Sequence, residues 1–234
     1  MIKATLSVSA QDAHEHSSLD RMLVFSGIIS SVMYVAMNLF VPMLDPYYNS
    51  VSQTVSELSA IGAPTRTVWI ALGVIYTLLI GCFAWGVVRT AGNNKNLRVV
   101  GILLLVYAAV NMLWPLAPMH RREVIAIDGR SLTDTMHLVL TGATVLLMTA
   151  AMIFGAMSLG RTFRIYSIIT IMVLLAFGVL TSLDAPKIDA GLPTPLVGVW
   201  ERINVGVFLI WIVVLSLALL RKPTVMIRLR TRIA

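Results

Sequence analysis

Charge is scarce in this sequence. Only 12% of its 234 residues are Asp, Glu, Lys or Arg, against 58% hydrophobic and a mean hydropathy of +0.86, whereas a soluble domain carries about a quarter charged residues. That balance excludes a water-soluble core. Cysteine is nearly missing as well. Cys82 stands alone inside an apolar stretch, which leaves no disulfide framework and no cysteine-based zinc motif, and marks it as a small lipid- or core-facing residue. The histidines are few, and no HxxxH or HExxH spacing joins them; no Gly-x-Ser-x-Gly elbow occurs either. None of the apolar runs alternates as a membrane-spanning strand would. Met1 to Arg21 is polar and lacks a cleavage-site pattern, so the first span is expected to direct insertion itself.

Long apolar runs are plentiful, at roughly 22–43, 68–88, 98–116, 136–159, 165–183 and 195–220. About 20 apolar residues of helix, each rising about 1.5 Å, cross a hydrocarbon layer about 30 Å thick with every backbone polar group bonded internally. The expected fold is therefore all-α, a polytopic transmembrane bundle of about six helices. No internal repeat or low-complexity segment divides it. Three parts are expected: a cytoplasmic arm at 1–21, the transmembrane domain at 22–220 and a basic cytoplasmic tail at 221–234.

Orientation follows from Lys and Arg, which are retained on the cytoplasmic side. With the N-terminus inside, twelve of the eighteen basic residues fall on inner segments, five of them in the tail (Arg221, Lys222, Arg228, Arg230, Arg232). Both ends are thus expected in the cytoplasm. Tyr47, Tyr48, Trp69, Trp114 and Trp200 then lie at the outer headgroup level, where amphipathic rings are favoured. The outer loops near 44–67, 117–135 and 184–194 are longer than the inner turns and hold seven of the eleven acids, and Glu201 at the outer start of the last span is the eighth on that side. A site, if present, is expected to face outward.

In the first outer loop, Val51, Val55 and Leu58 recur at helical spacing beside Ser52, Ser56 and Ser59. This predicts a short interfacial helix, capped by Asn49 or Ser50. One reading leaves it a surface helix with local hydrogen bonds. The other turns Ser52, Ser56 and Glu57 into a cavity between helices, where they hold a polar headgroup, a cation or a water.

Two further clusters stand out. Thr194 and Pro195 read as the N-cap and first residue of the last helix, which places Glu201 and Arg202 about 9–10 Å along it. At that depth both charges need partners or must snorkel. Gly198, Glu201 and Asn204 share a face turned from lipid, and a structural ion pair fixing helix register competes with ligand or proton handling. Ser131 and Asp134 form a capping pair for the fourth helix. Asp134, His137, Thr141 and Thr144 then make a polar stripe facing the other helices. His137 reads as a hydrogen-bonded interface residue, a base or a ligand. Asp184 either joins that neighbourhood or is a solvated loop acid.

The run Tyr48 to Ala60, ending in Ser56-Glu57-Leu58-Ser59-Ala60, resembles the signature of the membrane family catalogued as domain of unknown function 998. Trp200-Glu201-Arg202-Ile203 is similar to the Glu-Arg pair found there in the same family, and the six spans extend the likeness over about residues 20–220. The resemblance implies a six-helix membrane protein and supplies no activity.

Three functional classes remain. A binding, sensing or assembly protein with a polar outer cavity for a lipid headgroup or small ligand needs the fewest special residues. The candidate ligand-binding residues are Ser52, Ser56, Glu57, His137, Asp184, Glu201 and Arg202. A small-molecule or proton-coupled transporter is the alternative, although deep charges are few and no pair of interrupted helices is evident. A metal-assisted hydrolase built from His120, His137 and acids such as Glu57, Asp134 or Asp184 would lack the usual three-ligand motif. No metal or cofactor is therefore expected, and the sequence leans away from an enzyme without deciding the question. Its partners are the bilayer, anionic lipid at the basic tail, and a membrane-protein partner or further copies of the chain. A sequence pI near 10.0 needs no nucleic acid, because the positive charge lies in short inner segments. The plasma membrane is the expected location.

Overall fold

The computed structural model describes residues 2–221, with side chains from Ser18 onward. Seven α-helices follow one another: α1 (Ile2–Phe40), α2 (Arg66–Thr90), α3 (Lys95–Asn111), a short α4 (Arg122–Asp128), α5 (Leu132–Ala156), α6 (Gly160–Asp189) and α7 (Val197–Leu220). Turns of 3-10 helix occur at Val41–Leu44, Val55–Ser59 and Trp114–Leu116. The described residues contain no strand, only one isolated bridge between Ile61 and His120. All but α4 are long and apolar enough to cross a membrane. The chain is a multi-pass membrane protein.

Two boundaries differ from expectation. From Ile2 onward the polar arm is helical and continuous with the first span, because α1 begins there. At the other extreme, α6 runs past 183 to Asp189 through Pro186. The proline forfeits one N–H, yet the added turn is held by Lys187 donating to Asp184 at 2.6 Å and by Arg130 pairing with Asp189 at 2.7 Å. Gly191, at φ +64°, ends the helix, and the Leu192 N–H closes back on the Lys187 carbonyl at 2.8 Å. Of the basic tail, Lys222 onward lies outside the described residues, and with it the expected anionic-lipid contact.

Each span packs on the next, and α7 returns to α1, so the six close into a ring. The half of the ring away from the long loops is solid. Phe83, Leu104, Met152, Phe208, Trp211 and Leu215 fill it, each fully buried, and the Trp211 indole N–H donates to the Ser167 hydroxyl at 2.9 Å. Between lipid-bathed helices, close approach replaces the hydrophobic driving force. Gly86 permits it, since a Cβ there would lie 2.9 Å from the backbone of Leu23 and Val24. Ile165, Ile168, Ile169 and Met172 of α6 face outward, as does Cys82, which fits a lipid-facing surface.

Candidate functional site

At the loop end the ring is hollow and roofed. The first long loop folds back into the mouth instead of lying flat on it. Asn49 starts a tight local winding, its side-chain oxygen accepting from the Val51 N–H at 2.9 Å while the Gln53 side chain accepts from the Asn49 N–H at 2.6 Å. The expected short helix is present as five residues of 3-10 helix, Val55–Ser59, starting after Thr54 rather than after Asn49 or Ser50. Val55 and Leu58 are buried and Val51 is exposed. Across the mouth, the Ile61 N–H donates to the Met119 carbonyl at 2.8 Å, and Ala60, Met119 and Ile125 form a small apolar cluster of their own.

The first turns of α7 hold this roof. The Gly198 N–H donates to the Val51 carbonyl at 3.0 Å, and a Cβ at Gly198 would collide with the carbonyl oxygens of Ser50 and Gln53. Glu201 accepts the Val55 N–H at 2.5 Å and the Ser56 hydroxyl at 3.4 Å. Arg202 donates to the Ser50 carbonyl and to the Tyr48 hydroxyl, each at 2.8 Å. The Tyr48 hydroxyl in turn donates to the Thr54 carbonyl at 2.7 Å. Burial pushes that phenol up to about 12, so it keeps its proton for this bond. Glu201 and Arg202 are therefore not paired with each other. Each grips a different part of the first loop.

A second clamp comes from α4. Arg122 forks onto Glu57, Nε to Oε1 at 2.6 Å and Nη2 to Oε2 at 2.9 Å. Arg122 also donates to the Thr194 hydroxyl at 3.1 Å and to the Ser52 carbonyl at 3.1 Å, and Thr194 itself donates to Ser52 at 3.0 Å. Burial raises the Glu57 carboxyl above its ordinary value, and the Arg122 hydrogen bonds oppose that rise. Thr194 is thus a strut of the clamp and not the N-cap of α7, which starts at Val197. Glu201 consequently lies only about 6 Å along the helix.

Beneath the roof lies a cavity of about 340 Å³. Its apolar wall includes Met37, Trp69, Ile70, Val74, Trp114 and Val205, and its polar wall includes Ser56, His137, Thr144, Glu201 and Asn204. The capping pair expected for α5 is present: Ser131 accepts the Asp134 N–H at 3.3 Å and Asp134 accepts the Ser131 N–H at 2.8 Å. Asp134 also accepts from the His120 backbone N–H at 2.7 Å and meets its ring Nδ1 at 3.0 Å. One turn deeper, His137 donates from Nδ1 to the Ala117 carbonyl at 2.9 Å, under the edge of the Trp114 ring. Its Nε2 is buried and has no partner, and the same holds for the hydroxyls of Thr54 and Thr144. All three residues line the cavity. Buried polar atoms are ordinarily satisfied, and three unsatisfied ones around one space mark it as a place for a polar ligand or water.

The family model described as Protein of unknown function (DUF998) matches residues 28–218. The chain belongs to this family. No curated protein and no solved structure matches it.

The match covers every roof and cavity element of this DUF998 protein. Of the residues singled out from its sequence, Ser56, His137 and Glu201 come together on the cavity wall. Ser52 contributes its carbonyl, and Glu57 its carboxylate, to the Arg122 clamp. Arg202 anchors the loop, and Asp184 is buried in α6 with Lys187. Among the described residues no three His, Cys, Asp or Glu side chains gather as a metal site. Arg122 and Thr54 were not legible as site residues, and neither were Tyr34, Tyr76 and Tyr107, which also line the cavity. Arg122 carries no periodic signal, while the tyrosines sit at ordinary apolar positions of α1, α2 and α3.

Proposed function

We propose that this protein is a membrane binding or sensing protein that holds a small amphipathic molecule, such as a lipid headgroup with part of its chain, in the roofed cavity. The observation that carries this reading is the pairing of a largely apolar wall with three buried, unpartnered polar atoms at Thr54, His137 and Thr144. That is the composition of ligand pockets, mostly apolar with a few placed polar groups. The packed floor of Phe208, Trp211 and Leu215 favours binding over passage through the ring. We place the protein in the plasma membrane, and the distribution of Lys and Arg supports the roof facing away from the cytoplasm with both chain ends inside.

Native mass spectrometry of protein released intact from its own membrane tests this. Gly73 lies on the cavity wall and a Cβ there meets nothing within 4 Å, so Gly73→Leu adds bulk to the wall with no collision at Cβ. A retained molecule of lipid mass in the wild type, lost in Gly73→Leu, is the expected result. A bare polypeptide in both would remove the reading.

A further inference from the structure

The cavity walls carry an asymmetry of charge. Two acids line it, Asp134 and Glu201. Asp134 is saturated by His120 and Ser131. Glu201 receives only a backbone N–H and a serine hydroxyl, and no Lys, Arg or His of the described residues pairs with it. Of the two guanidinium groups on the wall, Arg130 is paired with Asp189, and Arg66, the first residue of α2, donates to the Ser59 carbonyl. A carboxylate so placed inside a helical bundle is costly unless a cation or several donors reach it.

The second polar feature asks for the same chemistry. The Ala117 carbonyl can only accept, so the hydrogen on His137 is at Nδ1, and Nε2 of the neutral ring is left as an acceptor. It is buried, 94% of the residue's surface being covered, and unpartnered on the cavity wall. The Thr144 hydroxyl, two turns along the same face, is equally unpartnered and can accept as well. The open polar groups of the cavity are therefore a carboxyl with no cationic partner, an imidazole nitrogen that can only accept, and the Thr54 and Thr144 hydroxyls, which accept as readily as they donate, and the apolar wall beside them suits a hydrocarbon chain.

Resting on the binding role proposed above, we infer that the ligand of this cavity is an alkylamine-type amphiphile. Its ammonium group is taken by the Glu201 carboxylate and the acceptors of α5, and its chain lies against Trp69, Ile70 and Val205. An anionic or purely alcoholic headgroup finds no equal complement on those acceptors. The amine belongs either to a lipid headgroup or to a free amine, and both present the same N–H donors.

The test is a native mass spectrometry titration of the delipidated full chain with dodecylamine, 1-dodecanol and dodecanoic acid, which share one chain length. Butylamine and phosphatidylethanolamine are added as separate arms. Dodecylamine is expected to bind roughly ten- to a hundredfold more tightly than the alcohol or acid, the scale of one charge-assisted hydrogen bond. That preference should vanish in Glu201→Gln, whose amide oxygen still accepts the Val55 N–H. Where dodecylamine binds, binding of phosphatidylethanolamine but not butylamine assigns the headgroup as the source, and binding of butylamine assigns a free amine. Equal binding of the three dodecyl compounds, all lost in Gly73→Leu, overturns the amine and leaves the cavity reading standing. Binding of none of them, or binding indifferent to Gly73→Leu, overturns both. The wild-type comparison alone decides the headgroup question should Glu201→Gln fail to fold.

Discussion

Glu57 and Arg122 meet as a two-pronged ion pair, at 2.6 Å and 2.9 Å, between segments 65 residues apart in sequence. The carboxylate side chain is 4% exposed and the guanidinium 21%, so neither is free to rehydrate where it stands. Removing one partner leaves a buried charge alone, which typically costs about 3–5 kcal/mol. Arg122→Ala should accordingly lower the melting temperature in detergent and expose the first loop to protease, with the Glu57 carboxyl pushed further up. The double variant Glu57→Gln with Arg122→Met should recover part of the loss. Equal melting of wild type and Arg122→Ala would show that the clamp does not hold the roof.

Glu201 acts on the roof through a single backbone group. Glu201→Ala strands the buried Val55 N–H, at a cost of about 1–3 kcal/mol, while Glu201→Gln retains an acceptor. Hydrogen exchange across residues 52–60 should quicken in the alanine variant and stay near wild type in the glutamine variant. The same rate in both would detach Glu201 from the loop.

Gly198 and Gly206 lie two turns apart on α7 and should respond oppositely to a methyl group. At Gly198 a Cβ would strike the carbonyls of Ser50 and Gln53, whereas at Gly206 nothing lies within 4 Å. Gly198→Ala should undock the loop and destabilise the protein. Gly206→Ala should be neutral or stabilising by up to about 1 kcal/mol through helix propensity. Thermal melting of the two variants side by side checks the contrast.

Ser131→Ala removes the hydroxyl that caps α5 and meets both His120 and Asp134. A loss of about 0.5–2 kcal/mol is expected, read as a lower denaturation midpoint. Unaltered stability would mean that Asp134 alone suffices.

Tyr47 is 86% exposed on the roof and reports orientation. In a Cys82→Ser background, Tyr47→Cys should react with a membrane-impermeant thiol reagent on intact cells. Reaction only after permeabilisation would reverse the proposed topology.

The spans were legible because apolar length is a one-dimensional property, and the cap of α5 because Ser131 and Asp134 are three residues apart. Glu201 and His137 were legible because a polar side chain within an apolar helix must find a partner. What Glu201 and its neighbour Arg202 meet was not legible, since besides the Tyr48 and Ser56 hydroxyls their partners in the loop are backbone atoms, the Val55 N–H and the Ser50 and Gln53 carbonyls. A carbonyl or an N–H is the same in every residue and leaves no mark in sequence. The N-cap assigned to Thr194 failed for a related reason. A threonine before a proline satisfies the local capping rule, but Arg122 and Ser52 compete for its hydroxyl in three dimensions and win.

The first loop is made early and fastened late. Its anchors at Gly198, Glu201 and Arg202 belong to the last span, so a growing chain has inserted five spans before the cover can seat. Until then the loop has only the Arg122 clamp of α4 and the Ile61–Met119 bond to hold it. Closure of the cavity waits on α7, and a chain cut short before it cannot complete the roof, however well its first five spans are packed.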